Sequence, residues 1–414
     1  MESNPQKESI KKKINSERNR LIQVSRFIHS HPEPNFEEWE SSKFLVRTLE
    51  ELGFKVEFPF SNVATSFRAT IRGNAAGPHV VILAEFDALR VTMQDGTSPV
   101  VHACAHNLNC SAAIGALIAL NSLINELPGS VSIVGTPAEE GGGGKIILLN
   151  NGSFNDADVV MTVHGDQRDW YTVARACTAG ESLRITFLGH SQSKGYSKNY
   201  VNALDAVVIF MNALSILDYR LTPDSLIQRK LVADARAVNT IPLEMKVEIQ
   251  IRSGDETFLD DMREEVIAAA RGAAQSIGAE VKIEPKGLRY ERIIENKTLE
   301  QVAKTNIEYL GHKFTEDEPS PYPFGTDTGN ISHRVPTLQF LIGRPEGFKF
   351  HTPVAVEQSI TDSAHEMMIE SSKILALTTL DLLTNPRVVD SAKMELERYR
   401  KSGFEGLYSW HQKI

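Results

Sequence analysis

The length, composition and charge of the chain exclude several classes of protein. The chain has 414 residues, of which 41% are hydrophobic and 23% are charged, and its formal net charge is −9. These proportions exclude a disordered chain, a collagen and a disulfide scaffold, and the acidic balance argues against a nucleic-acid partner. Because a single hydrophobic core stops growing near roughly 250–300 residues, the length predicts two domains.

The N-terminus and the cysteines bear on the cellular compartment. No apolar run approaches the roughly 20 residues that span a bilayer, and the charged start MESNPQKESIKKK lacks the apolar stretch of a secretory signal. The three cysteines, Cys104, Cys110 and Cys177, are sparse and odd in number, unlike a disulfide framework. We therefore expect a cytoplasmic protein with free thiols and no membrane association.

The first part of the chain alternates helix and strand patterns. Amphipathic helices are predicted over residues 9–28 and 37–52, and a further helix over 111–126. Apolar runs typical of strands buried on both faces are HVVILAEF (79–86), VSIVGT (131–136) and VVMTVHG (159–165). Strands separated by helices predict right-handed crossovers, and hence an α/β domain with a mostly parallel sheet and helices on both faces.

Residues 181–290 follow a different order of elements. Their patterns indicate β-α-β-β-α-β, which is typical of a small ferredoxin-like α+β sandwich. The α/β pattern then resumes with a helix near 297–310 and the apolar strand TLQFLIG. The sandwich is therefore predicted as an insertion: residues 1–180 and 291–414 would form one domain, and residues 181–290 the other.

Side chains of the kind that bind metal ions follow the predicted strands. In chain order they are Asp87, Cys104, His106, Glu139, Glu140, His164 and His351. In open α/β sheets, ligands bind at the edge where the carboxyl ends of the strands meet, so we expect these side chains to lie together. Thiolate, imidazole and carboxylate groups are ligands of zinc, manganese and similar ions.

Local spacing is consistent with such a site. Cys104 and His106 are two residues apart, so in an extended loop they point the same way. Glu139 and Glu140 are adjacent and point in different directions, so one carboxylate can bind metal while the other takes a proton from water. Each motif alone also has an ordinary structural interpretation, because most histidines are structural and paired glutamates before glycines usually form a solvated turn.

As a set, the motifs are more specific. HACAHN, TPAEEGGGG, HG and HTP, in this order, resemble the dinuclear metallopeptidase family of aminoacylases, auxin-conjugate amidohydrolases and aminobenzoyl-glutamate hydrolases. Further similar stretches, which span nearly the whole chain, are IHSHPEPNFEE, EFDAL, NALDAV, VNTIP and GTDTGNISHRVP. Asn107 and the GTDTGNIS stretch resemble the branch that holds aminobenzoyl-glutamate hydrolase and a dipeptidase acting on β-alanyl-type dipeptides.

The resemblance implies a role for each matching residue. It implies two divalent ions, zinc or manganese with cobalt and nickel as alternatives, and five ligands: Cys104 as the bridge, His106, Glu140, His164 and His351. Glu139 would be the general acid and base, and Asp87 would support a metal ligand from behind. Asn239 and Arg252 would face the substrate, and residues 181–290 would form a lid and dimerisation domain.

Two positions depart from the family pattern. Ser193 stands where the lid of the family carries a histidine that stabilises the oxyanion, and the nearby His190 could substitute for it. Ala105 stands where glycine is usual, and this change would be tolerated if the backbone φ of Ala105 were negative.

The function that follows is that of a metal-dependent amidohydrolase or peptidase. It would hydrolyse an amide bond of an N-acyl amino acid, a dipeptide or a similar small molecule, and it would act as a homodimer. Because Ser193 replaces the lid histidine, the alternative is a family member with lost or altered hydrolysis, either an amide-forming enzyme or a binding protein. A Rossmann dehydrogenase fits poorly, because the chain lacks the glycine fingerprint.

Overall fold

The structure is a computed structural model. It describes residues 4–174, 177–190, 200–232, 241–316 and 324–402. Two residues with predicted functional roles, Ser193 and Asn239, lie outside the described residues. The chain divides into two compact units, the first formed by Met1–Arg175, Ile293–Glu318 and Asn330–Ile414, and the second by Ala176–Arg292 and Pro319–Gly329.

The described residues contain thirteen strands. In chain order they are β1 (Val56–Glu57), β2 (Phe67–Arg72), β3 (Ala75–Glu85), β4 (Leu89–Arg90), β5 (Val100–Val101), β6 (Pro128–Thr136), β7 (Val159–Gly165), β8 (Tyr171–Val173), β9 (Ala179–Leu188), β10 (Leu226–Val232), β11 (Glu244–Ser253), β12 (Glu280–Pro285) and β13 (Thr337–Ile342).

The same residues contain eleven α-helices. They are α1 (Pro5–Ser30), α2 (Trp39–Glu51), α3 (His106–Asn121), α4 (Gly144–Asn150), α5 (Ala203–Leu217), α6 (Glu256–Ile277), α7 (Lys297–Tyr309), α8 (Thr328–Ser332), α9 (Pro353–Gln358), α10 (Asp362–Thr384) and α11 (Pro386–Ser402). In the described part of the chain, no helix combines the length and the apolar character that crossing a membrane requires.

The main sheet belongs to the first unit and has a parallel centre. Its seven strands lie in the order β1-β2-β6-β3-β7-β13-β8. β3 pairs in parallel with β6 and with β7, and β7 pairs in parallel with β13. β2 and β8 run antiparallel to their inner neighbours. The prediction of an α/β fold with a mostly parallel central sheet is therefore confirmed.

Apolar side chains cover both faces of this sheet. In β3, Val80 and Ile82 belong to a large buried cluster that includes residues of α1, α3 and α10. The alternate residues Val81 and Leu83 belong to a smaller cluster with Leu148 of α4. Because successive side chains of a strand point to opposite faces, this division explains why the apolar run of β3 has no polar alternation.

Helix α3 begins at His106 rather than near residue 111, where the sequence predicts it. All the side chains from His106 to Leu120 are buried. A helix that is buried all round has no polar face, so the spacing of its apolar residues does not mark where it starts. One consequence is that a predicted metal ligand, His106, is the first residue of a helix rather than part of an extended loop.

The second unit is an antiparallel sheet with two long helices. Its strands lie in the order β10-β11-β9-β12, and every neighbouring pair is antiparallel. Along the chain the elements follow the order β-α-β-β-α-β, with α5 and α6 as the helices. Side chains of β11 alternate between buried and more exposed positions, because one face of the sheet packs against the helices.

Candidate active site

The candidate site lies at the carboxyl edge of the main sheet. β3 ends at Glu85 and Asp87 follows it, β6 ends at Thr136 shortly before Glu139, and His164 lies at the end of β7. These three strands are parallel neighbours in the sheet. Their carboxyl ends therefore meet, and the chain that leaves each strand brings its polar side chains to one place.

Among the residues that the structure describes, three groups of side chains are close enough to bind a metal ion. They are Cys104 with His106 and His164, Cys104 with Glu140 and His351, and His106 with Glu139 and Glu140; within each group the ligand atoms lie within 4.8 Å of one another. Cys104 belongs to two of these groups, so its sulfur lies between two sets of donors. The structure thus brings together the five predicted ligands and the predicted acid/base residue.

Asp87 forms hydrogen bonds with two of these residues. One carboxylate oxygen of Asp87 accepts a hydrogen bond from His106 Nδ1 at 3.0 Å, and the other accepts one from the backbone N–H of Glu140 at 2.9 Å. The second ring nitrogen of His106, Nε2, is buried without a hydrogen-bond partner. Carboxylate oxygens of Glu85 and Glu139 lie 3.8 and 4.0 Å from it, too far for hydrogen bonds.

His164 and His351 reach the site from distant parts of the sequence. His164 Nδ1 donates to the backbone oxygen of Gly165 at 2.8 Å, and its Nε2 lies 3.4 Å from Cys104 Sγ. His351 Nε2 lies 3.5 Å from Glu140 Oε1, and the backbone N–H of His351 donates to the Ala103 oxygen at 2.9 Å. The side chain of His351 is 56% exposed, so the site reaches the surface beside it.

The electrostatics of the site favour bound positive charge. Burial and the charge of Glu140 oppose ionisation of the Cys104 thiol, but His164 and His106 outweigh them and lower its pKa to about 6. Burial would lower the pKa of His164, but the Cys104 thiolate raises it to about 9. The adjacent Cys104 thiol and Glu140 carboxylate raise the pKa of His351 to about 11. The anionic groups thus attract protons or cations to the imidazoles.

The backbone between Cys104 and His106 is left-handed. Ala105 has a φ of 63°, so the negative φ under which alanine would be tolerated at this position is not present. A non-glycine residue in this region is strained by roughly 1–3 kcal/mol, and such strain persists where the surroundings hold it. The Ala105 oxygen accepts backbone N–H groups of Leu108 and Asn109 in the first turn of α3, at 2.9 and 3.0 Å. The helix start therefore holds the strained turn.

Two buried carboxylates near the site have no role in the sequence prediction. Glu85 forms an ion pair with Lys145 at 2.8 Å. Glu38 accepts a hydrogen bond from the backbone N–H of Ala138 at 2.9 Å, and burial together with the charge of Asp87 raises the pKa of Glu38 to about 8. Both glutamates lie within the similar stretches EFDAL and IHSHPEPNFEE, but their contacts are with residues far away in sequence.

His190 and Arg252 belong to the second unit. The backbone of His190 pairs with that of Val201, with N···O distances of 3.0 and 2.9 Å. Arg252, near the end of β11, donates from Nε to the side-chain oxygen of Gln250 at 3.2 Å. The roles of these two residues toward the substrate, like those of Ser193 and Asn239, stay predictions.

An α/β sheet with a parallel centre and with thiolate, imidazole and carboxylate donors at its carboxyl edge is typical of an enzyme with a metal-binding active site. The chain belongs to peptidase family M20/M25/M40, whose family model matches residues 81–365. It is therefore an enzyme, a metal-dependent hydrolase that cleaves amide bonds.

Individual relatives cover nearly the whole chain. The Xaa-Arg dipeptidase of Mus musculus is 31% identical over 403 residues, which span 93% of this chain and 90% of that protein. A component of the p-aminobenzoyl-glutamate hydrolase of Escherichia coli is 24% identical over 464 residues, spanning 92% of this chain and 93% of that one. A dinuclear metal-binding M20 peptidase of Bacillus subtilis shares the fold, with a TM-score of 0.66, 21% identity, and coverage of 89% and 99%.

Proposed function

We propose that the chain hydrolyses dipeptides or N-acyl amino acids at a pair of divalent cations, zinc or manganese. The five ligands would be Cys104, His106, Glu140, His164 and His351. The observation that carries the proposal is that Cys104 belongs to two ligand groups, one with two histidines and one with Glu140 and His351. A sulfur shared in this way is suited to bridge two ions.

The donor set fits divalent cations. His106 Nε2 is buried and lacks a hydrogen-bond partner, a state that normally costs free energy and that a cation would relieve. The hydrogen bond from His106 Nδ1 to Asp87 leaves the lone pair of Nε2 available toward the site. The neighbouring imidazoles of His164 and His106 lower the pKa of Cys104 and so favour its thiolate, which is the metal-binding form.

Residues of the chain would have separate roles in the hydrolysis. Divalent cations, when bound, polarise the amide carbonyl and lower the pKa of water. Glu139 accepts the proton of the attacking water and delivers it to the leaving nitrogen. Its Oε2 lies 4.0 Å from His106 Nε2, which supports this role beside the ligands. Asp87 keeps His106 in one tautomer and holds the backbone of Glu140, so both ligands stay oriented during the reaction.

The names of the relatives indicate which substrates should be tested first. The mouse relative is a dipeptidase for Xaa-Arg, and the bacterial relative acts on p-aminobenzoyl-glutamate. Both substrates join an acyl or aminoacyl group to an amino acid with a free carboxylate. We infer the same class for this chain. Hydrolysis is favoured over the amide-forming or binding alternative, because these relatives are named as a dipeptidase and a hydrolase.

We propose that the second unit acts as lid and dimerisation domain. Four apolar side chains of α5 are exposed: Leu204, Val208, Ile209 and Ile216. β10 lies at an edge of its sheet and exposes Leu226 and Leu231. An edge strand beside exposed apolar side chains is suited to pair with a second copy of the chain across a two-fold axis. A cytoplasmic location is consistent with the free cysteines.

The test combines elemental analysis with a substrate screen. Protein purified without chelators should contain zinc or manganese and release amino acid from Xaa-Arg dipeptides, p-aminobenzoyl-glutamate or N-acetyl amino acids. Absence of any divalent metal, with no rebinding on addition, would disprove the metal site. For the lid, His190→Ala should abolish turnover if His190 supplies the oxyanion donor, whereas Ser193→His should raise turnover about ten-fold or more if that donor is missing.

A further inference from the structure

The segment that joins α1 and α2 hydrogen-bonds to two loops of the candidate site. The backbone oxygen of Glu33 accepts the N–H of Ala88, at 2.9 Å. Asn35 donates from Nδ2 to the backbone oxygen of Glu140 at 2.9 Å. Glu38 accepts the backbone N–H of Ala138 at 2.9 Å. These contacts join residues far apart in sequence, and none of them involves a ligand side chain.

Glu38 does not have the usual role of a carboxylate at a helix start. It is the residue before α2, yet its side chain makes no hydrogen bond to the helix. Glu33 has that role instead, because its two carboxylate oxygens accept the N–H groups of Glu40 and Ser41 at 2.9 and 2.8 Å. The side chain of Glu38 is therefore available to turn away from α2.

The carboxyl group of Glu38 is fully buried and takes part in three hydrogen bonds. Its Oε1 accepts the backbone N–H groups of Phe36 and Ala138, at 3.0 and 2.9 Å. Its Oε2 accepts the Thr65 hydroxyl at 2.9 Å. The residue has no exposed surface. A buried carboxyl group held by three hydrogen bonds has one orientation, so it can fix the position of the group it binds.

Ala138 lies directly before Glu139 and has a left-handed backbone conformation, with a φ of 59°. Its oxygen accepts the N–H groups of Gly142 and Gly144 at 3.1 and 3.3 Å, while its own N–H donates to Glu38. The turn that aims Glu139 is thus held on both sides of this one residue.

The next two residues are held in the same way. The backbone N–H of Glu140 donates to Asp87, and the backbone oxygen of Glu140 accepts Asn35. Glu38, Asp87 and Asn35 therefore anchor the 138–140 backbone from outside the loop. Asp87 also contacts His106, whereas Glu38 and Asn35 contact the loop through its backbone alone.

We propose that Glu38 and Asn35 are positioning residues for the hydrolysis, acting through the 138–140 backbone to aim Glu139 and Glu140. This inference rests on the proposed function of Glu139 as acid/base and Glu140 as ligand. Neither positioning residue reaches the substrate or a cation. Removal of such supporting partners typically costs about 10–100-fold in activity or metal affinity.

The test compares Glu38→Ala and Asn35→Ala with two controls. Glu38→Gln keeps an oxygen that can accept the Ala138 N–H, and so serves as the conservative rescue. Glu33→Ala removes the α2 cap from the same segment without touching the 138–140 loop. For each protein we would measure kcat and KM, the thermal midpoint of the metal-free form, the absorption spectrum of the Co²⁺-loaded form, and the rate at which a chelator extracts Co²⁺.

The expected results distinguish a role of Glu38 and Asn35 in positioning the site from a role in protein stability alone. Glu38→Ala and Asn35→Ala should lose kcat by about 10–100-fold with a smaller change in KM, alter the Co²⁺ spectrum, and release Co²⁺ faster. Glu38→Gln should lose much less kcat than Glu38→Ala, since its acceptor remains. Glu33→Ala should lower the thermal midpoint and leave kcat, spectrum and extraction rate as in the wild type.

Other outcomes overturn the inference. If Glu38→Ala and Asn35→Ala lower only the thermal midpoint, as Glu33→Ala does, then the contacts are structural and the proposal is wrong. If Glu38→Ala fails to fold, Asn35→Ala decides the question, because its side chain receives no buried network of donors. A wild-type protein that binds no Co²⁺ or cleaves no amide would instead overturn the proposed function itself, independently of these variants.

Discussion

Lys145 and Glu85 form a buried ion pair of 2.8 Å directly behind the metal-binding side chains. Glu85 is the last residue of β3, and Lys145 lies near the start of α4. The second carboxylate oxygen of Glu85 lies 3.8 Å from His106 Nε2 and accepts a hydrogen bond from Asn109 at 3.2 Å. Lys145 therefore neutralises a carboxylate that would otherwise be a lone buried charge beside a ligand.

We predict that Lys145→Met strongly destabilises the protein. Removing one partner of a buried ion pair leaves the other charge uncompensated and typically costs about 3–5 kcal/mol. Denaturant unfolding of the metal-free protein measures this loss without the contribution of bound ions. The double variant Lys145→Met with Glu85→Gln should regain a large part of it, because no unpaired charge remains. A single variant as stable as the wild type would contradict this account of the pair.

A second prediction concerns Glu139. Glu139→Gln should retain the bound metal and lose hydrolysis by about 10²–10⁴-fold, because an amide cannot accept the proton from water. Elemental analysis and steady-state kinetics on the same preparation provide the measurement. Glu140→Gln is the matched control, since it should reduce metal occupancy instead. Turnover near the wild-type rate in Glu139→Gln would show that another group acts as the base.

Much of the fold could be predicted because its strands are short apolar runs. The run at 159–165 coincides with β7. A strand buried on both faces is a nearly continuous apolar run, so the ends of the run mark the ends of the strand. The start of α3 could not be predicted in the same way. Every side chain from His106 to Leu120 is buried, so the sequence has no polar face that would show helical spacing.

The ligand set could be predicted because each residue follows a strand of a parallel sheet. The supporting contacts could not, since Glu85 and Lys145 are 60 positions apart in the numbering and their pairing depends on how α4 packs. The conformation of Ala105 could not be predicted either, for a related reason. Its left-handed φ follows from the meeting of a loop with the first turn of α3, which no local sequence pattern indicates.

The strain at Ala105 gives a third prediction. Ala103 is buried and has a negative φ. Its replacement by glycine removes a buried methyl group and increases the entropy of the unfolded chain, which together cost about 1–2 kcal/mol of stability. At Ala105 the same cost is offset by relief of roughly 1–2 kcal/mol of left-handed strain. Ala105→Gly should therefore be nearly neutral and Ala103→Gly destabilising, as denaturant unfolding of metal-free protein can show. Equal losses would mean that Ala105 is unstrained.

A fourth prediction concerns pH. Burial and the nearby charge of Asp87 raise the pKa of Glu38 from 4.5 to about 8. Between these values the unfolded chain has released the Glu38 proton while the folded protein retains it, so this group lowers stability as pH rises from about 4.5 to 8. Glu38→Gln removes the titration. Its thermal midpoint, measured without metal, should therefore rise relative to that of the wild type across this window, and a constant difference would contradict the raised pKa.

The last prediction concerns the assembly of the protein. Ile216 is 64% exposed near the end of α5, in a helix that also exposes Leu204 and Val208. If this surface and the edge strand β10 pair with a second copy, an aspartate at position 216 would bury a charge without a partner. Ile216→Asp should then be monomeric by light scattering at micromolar concentration, where the wild type should have twice the mass of one chain.

Met394→Asp is the matched control for this experiment, because Met394 is 53% exposed on α11 of the first unit, outside the proposed interface. It introduces the same charge in place of a similarly exposed apolar side chain and should remain dimeric. Circular dichroism of both variants shows whether the fold is kept. A monomeric wild type, or a folded Ile216→Asp protein that still dimerises, would show that α5 does not form the interface.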